Sequence, residues 1–441
     1  MFRALLTAFV GLVAVLAVGA VGQGQPEAGV VPTRVVAPAP DLSTLLGFVD
    51  GKLVRIDPET LAALPGKRVT VGSGGCASRQ GGTACWTVPP WTASRDGQFL
   101  VVAQNDPARM LRFVLVNPTY VTWDLPLDSG PIGALAWLAR RRMLALEEIA
   151  GERQRLIVVD FRSQRIVARR PLNGSVAQLA RTRKELVLLL APPQSIGPAR
   201  VALVDARGAL RFVRLTRILA GSKLLGSGSN HRVDARSPGF AVDPLGRRAF
   251  VVGQDLAAEV DLRTLAVSYH TLGRRPSLLA RLWNWLEPAA AAKRVSGYDR
   301  RAQWLGADLI ALSGTDSGGN GEYRPAGLFT IDTRDWSVTV IDRDATSFRV
   351  AGDLLLATGS GMETTPIGLV AYGYDGTRRF HLVKGEQAWL AEIYDGRAYI
   401  GIAGGAQPLR IVDLATGQIV GTRQQPLPWL LLGAGSGWWE D

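Results

Sequence analysis

The sequence has little cysteine, histidine and lysine. Its 441 residues include two cysteines, three histidines and six lysines, against 44 arginines. The histidines, His231, His270 and His381, are too scattered to form the closely spaced ligand set of a typical zinc site. No HExxH, P-loop, GxGxxG or GxSxG pattern occurs, so the common metalloprotease, nucleotide-binding and serine-hydrolase signatures are absent. The absence of these motifs does not exclude an active site assembled from residues that are distant in the sequence.

The charge pattern argues against one class of partner. The formal net charge is +12, but the basic residues are scattered and do not alternate with aromatic residues, so nucleic-acid binding is disfavoured. Arginine donates two parallel hydrogen bonds to carboxylate or phosphate groups, so an arginine-rich surface suits anionic partners. A bias of the genome toward arginine explains the same excess. The hydrophobic content of 47% is typical of a folded chain with a large core.

The amino-terminal stretch predicts export. A short basic start is followed by the uncharged apolar stretch 4–18, and Val18-Gly19-Ala20 supplies small residues for cleavage. We therefore expect a signal peptide over residues 1–20 and a secreted or extracytoplasmic location (periplasm or cell envelope). An uncleaved membrane anchor is the alternative, because the apolar run is close to the length of a thin membrane span.

Composition divides the rest of the chain into two parts. Residues 21–41 are rich in proline and glycine and show no periodicity, which is typical of an extended linker. The folded domain then spans residues 42–441. Cys76 and Cys85 lie in a glycine-rich stretch of an exported chain, which favours a disulfide between them over a metal or redox site.

A repeat accounts for most of this domain and is clearest over residues 239–272. There, four short apolar segments are separated by turn signals such as Asp243-Pro244-Leu245-Gly246. A strand that ends in Asp or Asn, followed by a turn, recurs about every 50 residues, close to the length of a β-propeller blade. The residues at this position are Asp57, Asn117, Asp160, Asp205, Asp261, Asp332, Asp375 and Asp413. Their side chains are expected to accept hydrogen bonds from backbone NH groups in the turn.

The repeat predicts an all-β fold: a single β-propeller of four-stranded antiparallel blades. The count favours eight blades, with seven as the alternative. The first unit has a weak leading strand, so the tail at Pro428–Gly435 is expected to supply that strand and close the ring. An open β-solenoid is the competing architecture.

Two stretches carry a family resemblance. DPLGRRAFVVGQDLAAEVDLRT resembles the YVTN-type propeller repeat, and RIVDLATGQIV resembles the repeat of quinoprotein-type propellers. The second family has a tryptophan where this chain has Val420. The resemblance implies the propeller fold and implies no particular function, since propellers host many activities.

One insertion departs from the repeat. Residues 276–294 lack strand alternation and have high helix propensity. The apolar residues that could face a membrane surface or pack on a blade are Leu278, Leu282, Trp283, Trp285 and Leu286. Packing on a blade and contact with a membrane surface are both compatible with this pattern.

Two long loops supply the candidate site residues. The loop over Gly226–Pro238 holds His231, Arg232, Asp234 and Arg236, which could bind a ligand or provide an acid–base pair. The loop over Ser313–Pro325 holds Asp316, Asn320 and Glu322, whose oxygens suit calcium, although their spacing matches no calcium-loop signature. No other cofactor is expected.

Two functions are compatible with these features. The first is a non-catalytic, monomeric propeller that binds a protein or an anionic cell-envelope polymer. The second is an exported hydrolase, lyase or oxidoreductase with its site at the central channel.

Overall fold

The computed structural model describes residues 34–36, 45–49, 51–71, 75–79, 82–86, 89–94, 99–105, 109–115, 121–127, 130–139, 142–149, 153–193, 195–225, 232–272, 295–317, 323–361, 364–403, 409–423 and 430–432. Within these ranges every regular element is a β-strand. The helix expected over residues 276–294 lies outside them. The signal peptide also lies outside, as does the expected linker except for residues 34–36.

The first half of the chain contributes β1 (Arg34–Val36), β2 (Leu46–Val49), β3 (Lys52–Arg55), β4 (Val69–Thr70), β5 (Gly75–Arg79), β6 (Gly82–Trp86), β7 (Trp91–Ala93), β8 (Phe99–Gln104), β9 (Met110–Leu115), β10 (Val121–Pro126), β11 (Ile132–Ala139), β12 (Arg142–Ile149), β13 (Arg153–Asp160), β14 (Arg165–Leu172), β15 (Ser175–Arg181), β16 (Leu186–Ala191), β17 (Gly197–Val204) and β18 (Leu210–Leu225). The second half contributes β19 (Arg232–Ser237), β20 (Gly239–Val242), β21 (Arg248–Val252), β22 (Leu256–Asp261), β23 (Val267–Thr271), β24 (Val295–Gly306), β25 (Leu309–Ser317), β26 (Tyr323–Pro325), β27 (Leu328–Asp332), β28 (Val338–Asp342), β29 (Ser347–Ala351), β30 (Leu354–Gly361), β31 (Thr364–Gly373), β32 (Arg378–Leu382), β33 (Ala388–Tyr394), β34 (Arg397–Ile402), β35 (Leu409–Asp413), β36 (Gln418–Arg423) and β37 (Leu430–Leu432).

The described strands form eight four-stranded antiparallel units, which we number as blades in chain order. Six are separate sheets: blade 1 (β37, β2, β3, β4), blade 2 (β7–β10), blade 3 (β11–β14), blade 5 (β20–β23), blade 7 (β29–β32) and blade 8 (β33–β36). The other two, blade 4 (β15–β18) and blade 6 (β24, β25, β27, β28), belong to one 11-stranded sheet because β19 pairs with both β18 and β24. The all-β propeller is confirmed.

The hydrophobic core shows how the blades are arranged. Eight clusters of buried side chains each take members from two neighbouring blades. Their members include Leu53 and Leu100 for blades 1 and 2, Val101 and Ala145 for blades 2 and 3, Leu156 and Leu188 for blades 3 and 4, Val201 and Phe240 for blades 4 and 5, Phe250 and Ile310 for blades 5 and 6, Leu328 and Leu355 for blades 6 and 7, Leu356 and Ile400 for blades 7 and 8, and Leu409 and Leu45 for blades 8 and 1. Eight interfaces in a closed series agree with the eight-blade count, because each blade buries one face against each neighbour.

The carboxyl-terminal strand closes the ring, as the weak first unit of the sequence predicted. β37 pairs antiparallel with β2, with Leu46 opposite Leu432 and Phe48 opposite Leu430. Contacts between blades 8 and 1 strengthen the junction, since the Tyr399 hydroxyl donates to the Pro58 carbonyl at 3.0 Å. Arg397 also pairs with Glu59 at 3.3 Å.

The turn aspartates have the structural role expected of them. Asp57, Asp205, Asp261, Asp332 and Asp375 each accept a hydrogen bond from the backbone NH two residues ahead, at 2.8–3.0 Å. Asp160 and Asp413 accept one from the NH three residues ahead. Asn117 lies outside the described residues. Such bonds favour the ionised carboxylate, and they lower the pKa of Asp57, Asp261, Asp375 and Asp413.

These turns predict a weakening of the fold in acid. Asp261 accepts hydrogen bonds from the NH groups of Arg263 and Thr264 and from the Thr264 hydroxyl. Its pKa is lowered in the folded state, so its contribution is fully present above the unfolded value of about 3.9 and is lost as the pH falls through the folded value. We expect Asp261→Ala to cost about 1–2 kcal/mol at pH 7. The difference from wild type should shrink below about pH 4. Urea unfolding at pH 7 and pH 3 measures both, and a difference that does not change with pH would contradict the assignment.

Candidate functional site

Parts of the two loops singled out in the sequence belong to strands that lie on either side of β24. Arg232–Ser237 forms strand β19 rather than a loop, because β18 continues past blade 4 and gives it an antiparallel partner. On its other side β19 pairs in parallel with β24, the first strand of blade 6. Part of the second loop, up to Ser317, likewise belongs to strand β25.

The strand register places the candidate residues in one row. Arg236 is paired with Tyr298, and Tyr298 is paired with Asp316 on the next strand. The close approach of β19 to β24 requires Gly297, which has a φ of +140°. A Cβ there would lie 1.7 Å from the carbonyl oxygen of Ala235, so any other residue would separate the two strands.

Two ion pairs flank the tyrosine. Toward β25, Arg300 is only 4% exposed and donates to Asp316 Oδ1 at 2.6 Å and to the Thr315 carbonyl at 2.7 Å. Toward β19, Arg236 lies 3.0 Å from Asp234 Oδ1, and both side chains are partly exposed. The two arginines therefore differ: Arg300 is buried although its partner Asp316 is in contact with solvent, whereas Arg236 is itself partly exposed.

Tyr298 connects the two pairs. The guanidinium carbons of Arg236 and Arg300 lie 5.6 Å and 5.5 Å from the centre of its ring, within the range of cation–π attraction. Its hydroxyl donates to the carbonyl of Leu219 at 3.1 Å. Burial raises the pKa of Tyr298 to about 12, so the phenol is neutral at physiological pH and does not serve as a proton acceptor.

We call Asp234, Arg236, Tyr298, Arg300 and Asp316 the blade 5–6 cluster. It lies at the end of the blades where each first strand begins and each second strand ends. First strands from neighbouring blades meet beside it, since Gln178 Nε2 of blade 4 lies 2.9 Å from the Pro238 carbonyl and 3.4 Å from that of Arg300. Loops and strand ends that carry binding residues usually gather at one such end of a repeat scaffold.

The remaining predicted site residues are placed only in part. His231, Asn320 and Glu322 lie outside the described residues, and for Arg232 only the backbone is described. The acid–base pair and the calcium site therefore stay predictions. In the described part of the chain, no three His, Cys, Asp or Glu side chains are grouped as a metal site would need.

Sequence reasoning missed Tyr298 and Arg300. Both lie in β24, within VSGYDRRAQWLG, where alternating residues point to the same face. The spacing of tyrosine and arginine at positions i and i+2 was therefore visible, but nothing in the sequence indicated that β19 would pair with this strand.

Of two other predicted features, the structure describes one. Cys76 and Cys85 are directly opposite each other in the antiparallel hairpin of β5 and β6. The candidate membrane-contact residues, from Leu278 to Leu286, lie outside the described residues. Among the residues that the structure describes there is no helix long and apolar enough to cross a membrane.

Comparison with known proteins extends to the fold alone. No protein family matches the chain, and no curated protein matches it. A solved structure of the dihydro-heme d1 dehydrogenase NirN, in complex with DHE, is similar with a TM-score of 0.56 and 12% identity, over 90% of this chain and 76% of that one. A functionally unknown protein from Desulfotomaculum acetoxidans matches at a TM-score of 0.40 and 10% identity, over 77% of this chain and 96% of its own. The WD40 domain of Toxoplasma gondii coronin matches at a TM-score of 0.39 and 12% identity, over 87% of this chain and 86% of its own. The chain is a β-propeller, and its resemblance to the YVTN and quinoprotein repeats stays a prediction.

Proposed function

We propose that this chain is an exported binding module whose blade 5–6 cluster holds an acidic segment of a partner protein. The observation that carries the proposal is the contrast between the two ion pairs beside Tyr298. Arg300 is buried, whereas the side chains of Arg236 and its counter-ion Asp234 are 28% and 24% exposed. Arginine and tyrosine are also enriched among the residues that dominate binding energy at protein interfaces.

The ion pair between Arg236 and Asp234 is suited to exchange of partners. A partly exposed ion pair such as Arg236 with Asp234 contributes only modest stability, so a carboxylate from another protein can take the place of Asp234 at modest cost. The Arg236 guanidinium keeps its orientation because it also stacks on Tyr298. A cation held in this way loses little conformational entropy when it binds.

The test compares Arg236→Ala with Arg217→Ala, a matched control in which a different exposed arginine stacks on a tyrosine, Tyr269, at 5.2 Å. The full chain is immobilised and incubated with an envelope extract, and the affinity for any purified protein it retains is then measured. We expect Arg236→Ala to weaken that affinity at least about tenfold, or about 1.4 kcal/mol. The control should be unchanged. Equal affinity of the two variants, or retention of a polysaccharide instead of a protein, would overturn the proposal.

An enzyme with its site at the same end of the ring is the alternative, with His231 and Asp234 as acid and base. Such an enzyme would lose its turnover when both are replaced by alanine. The binding module is favoured if the affinity for a protein partner depends on Arg236 and the wild-type protein shows no turnover.

We also propose that Cys76 and Cys85 form a disulfide, in keeping with export. Residues directly opposite in an antiparallel pair have Cα atoms about 4.5 or 5.5 Å apart, within the range of about 4.4–6.8 Å that a disulfide requires. We expect the secreted protein to show no reactive thiol until it is reduced, with a gain of about 2 Da on reduction, since one S–S bond becomes two thiols. Two reactive thiols in the unreduced, denatured protein would contradict the bond.

A further inference from the structure

We propose that Arg200 and Arg214 form a binding site for a phosphate or sulfate group on the face of blade 4 that is turned toward blade 3. This site is separate from the blade 5–6 cluster, and it does not depend on the function proposed above.

The register of blade 4 places the two arginines side by side. Arg200 on β17 is directly opposite Arg214 on β18, and on its other side it is opposite Leu190. Leu190 belongs to the cluster buried between blades 3 and 4. Because directly opposed residues point to the same face of a sheet, both guanidinium groups lie on the face of blade 4 that is turned toward blade 3.

The facing blade adds a third positive charge. Arg170 on β14 is directly opposite Leu156, another member of the cluster between blades 3 and 4. Its side chain is exposed and on the face of blade 3 that is turned toward blade 4. Three arginines thus lie on the facing sides of blades 3 and 4.

The pair has no counter-ion in the part of the chain that the structure describes. Among the described residues, neither Arg200 nor Arg214 has a carboxylate partner, whereas Arg211 on the same strand pairs with Glu185 at 3.4 Å. Like charges directly opposite each other in a sheet are destabilising. Burial and the charge of Arg214 both lower the pKa of Arg200. An anion between the two guanidinium groups would remove this repulsion.

The backbone leaves room for the Arg200 guanidinium. Gly174, in the connection from blade 3 to blade 4, has a φ of +143°. A Cβ there would lie 2.7 Å from Arg200 Nη2 and 2.4 Å from the Ala191 carbonyl oxygen, so a side chain would force the guanidinium away. Guanidinium groups bind the oxygens of phosphate or sulfate through pairs of charge-assisted hydrogen bonds. A tetrahedral anion has enough oxygens to contact two of them at once.

The experiment measures thermal unfolding of the full chain in chloride at constant ionic strength, with added inorganic phosphate, sulfate or a linear polyphosphate. We expect phosphate to raise the wild-type Tm, and we expect Arg200→Gln and Arg214→Gln each to weaken its affinity at least about tenfold. Arg211→Gln, which removes the same charge from the same strand, should respond like wild type. If polyphosphate binds more tightly per phosphate through the same arginines, the natural ligand is a chain; if it does not, the ligand is a single group.

A second measurement separates binding from a general structural effect. In chloride alone, Arg214→Gln should be more stable than wild type, because it removes the repulsion from Arg200. The proposal is wrong if the Arg200→Gln/Arg214→Gln variant keeps the wild-type response to phosphate, which would reflect general salt stabilisation. It is also wrong if Arg214→Gln is the less stable protein in chloride.

Discussion

Truncation after Arg423, which removes β37, will strongly destabilise the propeller. Leu46 and Phe48 on β2 are buried, and β37 provides the second hydrogen-bonded neighbour of that strand. Loss of β37 leaves β2 as an exposed edge, and re-exposure of two large apolar side chains costs about 1.5–3 kcal/mol each. We expect a loss of about 3–6 kcal/mol in the free energy of unfolding, together with aggregation through the open edge.

The matched control is truncation after Gly433, which keeps all of β37. This protein should unfold like wild type in urea, because it retains the strand pairing with Leu46 and Phe48. A point variant, Leu431→Pro, keeps the full length but removes a backbone NH within β37, opposite Gly47. If all three proteins are equally stable, closure by β37 does not hold the ring together.

Replacement of Arg349 by methionine is the second change with a large expected effect. Arg349 on β29 of blade 7 contacts Glu392 on β33 of blade 8 at 3.3 Å, and the Glu392 side chain is 1% exposed. Removal of one member of a buried ion pair leaves its partner buried without that counter-charge, which typically costs about 3–5 kcal/mol. We expect a loss of this size, measured by urea unfolding.

A pair of the same length at the surface provides the comparison. Arg397 and Glu59 are also 3.3 Å apart, but Glu59 is 73% exposed, so Arg397→Met should cost no more than about 1 kcal/mol. The double variant Arg349→Met/Glu392→Gln should recover much of the loss, because the buried carboxylate is gone. Equal losses for Arg349→Met and Arg397→Met would mean that burial does not determine the strength of the pair.

The repeat could be predicted because its signals are local. A strand that ends in aspartate and enters a turn is encoded by consecutive residues, and the four strands expected over residues 239–272 are present as β20 to β23. Even the long-range pairing of β37 could be predicted locally, because the first repeat unit has only a weak leading strand and needs another strand in its place. The aspartate turn recurs in the seven copies that the structure describes, so a single clear copy was enough.

The candidate site could not be predicted in the same way, because it depends on pairing between distant strands. Gly226–Pro238 was expected to be a loop, since its serines, glycines and charged residues suit turns. The pairing with β18 and β24 overrides that local preference. Only this pairing brings Arg236 next to Tyr298, and no periodicity of the sequence encodes it. The Arg200 and Arg214 pair also depends on register, which a shift of one residue would destroy.

The closed series of eight interfaces also constrains the order in which the protein folds. Seven interfaces join blades that follow each other in the chain, so they can form one after another as the polypeptide is synthesised. The eighth joins blade 8 to blade 1, and the pairing of Leu46 with Leu432 connects nearly the two ends of the sequence. Contacts of such high sequence separation form slowly, because the intervening chain must lose its freedom first. Ring closure should therefore be the last and slowest step of folding, and until it occurs the newly synthesised chain exposes the edge of β2 to its neighbours.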